Sequence, residues 1–115
     1  MLNLLKRTKN RGPKGKMRAV LNGVTIAESD ETIDVSGVTY FPPGALKRQY
    51  FANSSLNTNC VYKGEASYYD ITSGGETRPD KAWYYPTPKP AYAHIKGYVA
   101  FYGPNQGGVE VVPAS

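Results

Sequence analysis

The side chains best suited to chemistry in this chain are Lys63, Tyr68, Trp83, Tyr85 and Cys60. Lys63 stands between Tyr62 and Gly64, and a glycine there lets backbone or ligand come close. Its ammonium could meet an anionic or carbonyl group, or simply pair with Glu65 or Asp70 at the surface. Tyr68, Trp83 and Tyr85 offer flat apolar rings with polar handles, the mixture that lines small-molecule pockets. Packing in a core with a wet rim is the plainer use for them. Cys60 is a nucleophile only if its pKa is lowered and a base stands near. The sole histidine, His94, lies far along the chain beyond a run of prolines, and a buried inert thiol is the commoner fate.

Other chemistries are excluded or weak. A chain with one cysteine has no internal disulfide and no thiolate zinc cluster. No structural metal is therefore expected, and the cytoplasm is the default compartment. Glu28, Asp30, Glu31 and Asp34 cluster in sequence but alternate in direction on strands and turns, which reads as a solvated rim. No P-loop or Rossmann glycine pattern is present, so no cofactor is expected. The longest apolar runs fall far short of the ~20 residues that span a bilayer.

The elements that must position these residues are strands. The 115 residues allow one domain, and with 40% apolar and 20% charged residues the chain is not built like a disordered one. Residues 1–18 hold seven bases and no acid; residues 19–115 hold seven bases against nine acids. A flexible basic arm over 1–16 thus precedes a mildly acidic domain over 17–115. Ala19–Leu21, Asn22-Gly23 and Val24–Ala27 predict a hairpin, as do Thr32–Val35, Ser36-Gly37 and Val38–Phe41. Gly44–Phe51 holds one helical turn or a short strand. Residues 52–59, rich in Asn, Ser and Thr, read as a loop. Cys60–Lys63 reads as a short strand, and Glu65–Thr72 as the central one. Gly74-Gly75 turns the chain back toward Ala82–Tyr85, a short strand or bridge. Pro86–Pro90 is stiff, Pro90–Ile95 makes one or two helical turns, and Gly97–Tyr102 and Val109–Val112 are strands.

Alternation then sorts the aromatics, of which there are ten Tyr, three Phe and one Trp. Ala66, Tyr68 and Asp70 share one face, Tyr69 and Ile71 the other. Trp83 and Tyr85 share a face. Val99 and Phe101 form the expected core face, opposite Tyr98, Ala100 and Tyr102. Tyrosines left outside a core line a groove or a dimer interface.

Three linked segments carry a family resemblance: Cys60-Val-Tyr-Lys-Gly-Glu-Ala-Ser-Tyr-Tyr69, Ala82-Trp-Tyr-Tyr-Pro-Thr-Pro88 and Ile95-Lys-Gly-Tyr-Val-Ala-Phe-Tyr102. In this order and spacing the chain resembles the small bacterial family called domain of unknown function 427. Ala19–Val24, Ala27–Ser29 and Tyr40–Pro42 fit its first half, so the resemblance covers roughly residues 17–112. It implies a mostly β fold, a compact antiparallel two-sheet β-tent with one or two short helical turns. Such a tent is similar to the zinc-binding tents of methionine-R-sulfoxide reductase and the cereblon ligand-binding domain. Those are usually pinned by four cysteines; with one, this tent must be held by packing, without structural zinc. The family motif also keeps a lysine where Lys63 stands. Some family labels allude to nucleotidyl transfer, which wants a Gly-Ser loop and an Asp-x-Asp pair. Neither stands in this sequence, and the label is set aside.

Three functions remain. The first is a small-molecule-binding domain with an aromatic groove formed by Tyr68, Trp83 and Tyr85 and with Lys63 at its rim. The second is an enzyme using Lys63 or Cys60 with a tyrosine as acid. The third is a weak single-strand nucleic-acid binder using the basic arm and stacked tyrosines, although the domain itself is acidic. A homodimer is the other use for such rings.

Overall fold

The computed structural model describes residues 15–114. The expectations for residues 1–14 lie outside the described residues. Among the described residues nine strands form: β1 Met17–Leu21, β2 Val24–Ser29, β3 Ile33–Val35, β4 Val38–Tyr40, β5 Phe51–Cys60, β6 Gly64–Ser73, β7 Glu76–Tyr84, β8 Val99–Phe101 and β9 Glu110–Pro113. The architecture is the expected mostly antiparallel β fold with short helical turns. Short 3-10 turns occupy Pro43–Ala45, Arg48–Tyr50, Pro90–Ile95 and Pro104–Gln106, the third of them kinked at Tyr92.

Hydrogen bonding divides the strands into a three-stranded sheet, β2-β1-β9, a four-stranded sheet, β5-β6-β7-β8, and a β3-β4 ribbon. The tight turns sit where the dipeptides put them. Asn22 and Gly23 have φ of 53° and 78°, and Ser36 and Gly37 have 52° and 85°. Two successive positive φ values match the strands' right-handed twist, which is why Asn-Gly favours this geometry.

The four-stranded sheet lies between two apolar layers. One face, with Ile71, Ala82 and Phe101, packs against Ala19, Leu21 and Ile26 of the three-stranded sheet. The other, with Ala66, Tyr68 and Ala100, packs against Ile33 and Tyr40 of the ribbon, with Tyr85 and Ile95. Val99 and Phe101 are core, as alternation requires. Phe41 fastens the ribbon to the sheet: its N–H and C=O exchange hydrogen bonds with Val99, both 2.8 Å.

Two segments differ from expectation. Residues 52–59 are not a loop but most of the ten-residue strand β5. Their low intrinsic preference is overridden because β6 offers a ladder to Phe51–Asn53 and Asn57–Cys60 on one side. An outermost strand needs no apolar face beyond it. The pairing slips between Asn53 and Asn57. Cys60–Lys63 is not a strand either: Cys60 closes β5 and residues 61–63 are the turn into β6. β7 also runs further back than expected, to Glu76. Pro79 hid this extension, and it is accommodated where the β6–β7 register shifts between Tyr69 and Ile71, the kind of irregularity at which a strand tolerates proline.

Candidate functional site

Alternation places Tyr68, Trp83 and Tyr85 in one packed group. Tyr68 of β6 is the direct partner of Trp83 in β7. Tyr68 is 7% exposed and Tyr85 6%, whereas Trp83 is half-buried at the margin of this layer. Trp83 meets Tyr40 edge-on at 6.5 Å and lies 4.8 Å from the half-buried Tyr102 ring. Tyr85 thus belongs to the packed interior, where burial and the neighbouring Tyr40, Cys60 and Tyr68 hold its hydroxyl protonated well above the ordinary tyrosine range.

Residues that alternation alone did not single out complete the margin. The Tyr68 hydroxyl shares a 2.8 Å hydrogen bond with Thr58 of β5. Burial, then the adjacent Tyr68 phenol and the Asp80 carboxylate, push the Tyr102 pKa up. Asp80 sits at the β7 irregularity with φ of 58°, a left-handed conformation that aspartate tolerates better than most residues. Its N–H donates to Asp70 Oδ1 at 2.9 Å, and its carboxylate accepts a short bond from Ser54 Oγ. The sequence signal for Tyr102 was its parity with Ala100. Thr58 had none, because its segment read as loop.

The Lys63 side chain meets a different ring. It is half-buried in the turn, with its ammonium 4.9 Å from the centre of the Tyr92 ring, an attractive cation–π geometry. Tyr92 in turn stacks on His94 at 6.2 Å. The close approach expected at Gly64 occurs: a side chain there would stand 3.4 Å from the Thr87 carbonyl oxygen. The proline segment docks on the turn through Lys89 N–H to Lys63 C=O, 2.8 Å, and Lys89 Nζ donates to Val61 C=O at 2.7 Å.

Cys60 gains from this turn. Backbone N–H groups of Lys63 and Tyr62 and the charges of Lys63 and Lys89 outweigh desolvation, lowering its pKa below the ordinary thiol range. Thiolate therefore forms at a lower pH than in the unfolded chain. Iodoacetamide alkylation of the folded protein should show its pH midpoint below that of the urea-unfolded protein. Equal midpoints would show that the turn does not stabilise the thiolate.

The acidic group does form an exposed rim. Glu28, Asp30 and Glu31 border an open cleft of about 700 Å³ with Lys16 and Lys47, and none of the four predicted site residues lines it. Among the described residues no set of three or more His, Cys, Asp or Glu side chains is placed to hold a metal ion. No helix among them is long and apolar enough to cross a membrane.

Fold and site together define a small antiparallel β domain with a tyrosine-rich central sheet. A family model described as domain of unknown function 427 matches residues 11–112. The chain belongs to that family, in agreement with the three sequence motifs. No curated protein matches it in sequence.

Proposed function

We propose that this is a small-molecule-binding domain whose ligand lies at the margin of the Tyr68 layer, against Trp83 and Tyr102. The observation that carries the reading is the hydrogen bond between the buried Tyr68 hydroxyl and the exposed Thr58 hydroxyl, beside the half-buried Trp83–Tyr102 ring pair. Rings supply apolar contact there, while Thr58, Tyr68, Tyr102 and Asp80 supply polar groups that orient a ligand. Tyr85 supports this margin from within, and Lys63 borders the neighbouring turn.

Trp83 is the sole tryptophan, so its emission reports on this place directly. A library of small metabolites screened by that emission should yield saturable quenching. The affinity of each hit should fall roughly two- to twelvefold in Tyr102→Phe, the value of one hydrogen bond of about 0.5–1.5 kcal/mol. Trp83→Ala should cost less than the roughly 3–5 kcal/mol typical of a sealed aromatic. Hits indifferent to Tyr102→Phe, or a full core penalty at Trp83, would overturn the reading.

Nucleophilic chemistry is the second reading. Its support is the Cys60 thiol, lowered by the turn N–H groups and lysines, with the protonated Tyr85 hydroxyl nearby as an acid. Thioester formation at Cys60 from an activated ester, with release of the ester's alcohol, lost in Cys60→Ser, would favour it over simple binding.

A further inference from the structure

The opposite face of the four-stranded sheet carries a cluster that the Tyr68 layer does not use. Alternation sends Tyr69 and Tyr84 to that face. Both are half-buried against the three-stranded side, and their rings stack at 4.7 Å with an interplanar angle of 22°. The turn Arg48–Tyr50, which leads into β5, brings Arg48 to them. Arg48 Nη1 donates to Tyr69 Oη at 3.3 Å, and Nη2 donates to the Pro43 carbonyl at 3.2 Å. The guanidinium carbon stands 6.0 Å from the centre of the Tyr69 ring. Asn57 closes the border, its amide donating to Ser67 Oγ at 3.1 Å.

The hydrogen-bond inventory of this cluster is lopsided. A guanidinium has five N–H groups, and the bonds above use two. The ion pairs found among the described residues are Lys16–Glu28 and Arg78–Glu76; none involves Arg48. Burial, then the adjacent Tyr69 phenol, push the Tyr84 pKa up, which keeps its hydroxyl neutral. Tyr69 Oη already receives Arg48. The cluster therefore presents guanidinium donors and one positive charge, and neither ion pair given for the described residues answers them. It also presents half-buried rings that an apolar group can cover. The guanidinium is held at two nitrogens, so little of its freedom is lost when an anion arrives.

We propose that Arg48 with the Tyr69–Tyr84 pair is a recognition point for an anionic group, carboxylate or phosphate, carried on a small aromatic ring. Arg48 meets the anion in charge-assisted hydrogen bonds, Tyr69 adds a hydroxyl donor, and the ring covers the exposed phenol surface. The site lies on the face opposite Trp83 and stands independently of the proposal for that margin.

The probes are phenyl phosphate and benzoate, with benzyl alcohol as the neutral control. They are titrated into the full ¹⁵N-labelled chain and followed by the Arg48 Nε–H and the Ser67 and Tyr84 amides. Saturable shifts with phenyl phosphate, benzoate or both are expected, and which of them binds tighter identifies the anion. Benzyl alcohol should bind at least tenfold more weakly. Arg48→Gln should weaken binding at least tenfold, and Tyr69→Phe three- to tenfold, with the remaining amide spectrum unchanged. The exposed neighbour Lys47→Gln should stay within twofold. The proposal is overturned by shifts that never saturate, by equal binding of benzyl alcohol, or by a loss in Lys47→Gln as large as in Arg48→Gln. That last result would mean diffuse charge attraction.

Discussion

Phe41→Ala should lower the unfolding free energy by about 3–5 kcal/mol, the usual cost of emptying a sealed aromatic site. Phe41 is 0% exposed, and its ring meets Phe101 edge-on at 5.6 Å. Its backbone is held on both sides by Val99, so the chain cannot easily collapse into the space the ring leaves. Unrelieved cavity adds to the lost transfer energy, which puts the cost at the upper part of that range. Urea denaturation followed by circular dichroism measures it. A loss below about 1.5 kcal/mol would mean that the ribbon and the sheet repack freely, and that Phe41 does not fasten them.

Gly108→Ala should be the other large loss, for a backbone reason. A side chain at Gly108 would stand 1.9 Å from the Tyr102 carbonyl oxygen and 2.5 Å from its carbon. Neither atom can swing aside, because both belong to the main chain. The contact arises where Gly108 N–H bonds Gly103 C=O at 2.9 Å and Val109 N–H bonds Tyr102 C=O at 2.8 Å. Relief requires these two strands of chain to part, which pulls on Val109, 2% exposed in the core. Overpacking of this kind costs about 1–3 kcal/mol, occasionally more. Gly103→Ala is the matched control: its side chain would meet nothing within 4 Å, and its φ of −83° suits any residue. That variant should stay within about 1 kcal/mol of the parent. Equal stability of the two variants in thermal melts would show that the Tyr102–Gly108 approach relaxes without cost.

Much of the architecture was legible because it depends on neighbours in sequence. Asn22-Gly23 and Ser36-Gly37 accept positive φ at little cost, so both tight hairpins could be read from dipeptides. Alternation along β6 correctly assigned Tyr68 and Tyr69 to opposite faces, since side-chain direction in a strand is a local property. Strand β5 was not legible. Its Asn, Ser and Thr residues have no pattern of their own, and it exists because β6 holds out a ladder of hydrogen bonds. Nor could alternation say which face would be covered. Both faces of the central sheet acquire an apolar layer, so Tyr85 is sealed while Tyr84 stays half-open beside Arg48. Thr58 reaches Tyr68 across a strand boundary, and Arg48 reaches Tyr69 from a turn that precedes β5. Sequence spacing determined which side of its own strand each ring occupies. Which groups stand opposite those rings was decided only by tertiary pairing, because contact energy depends on distance in space and the chain's order places no bound on that distance once it has turned back on itself.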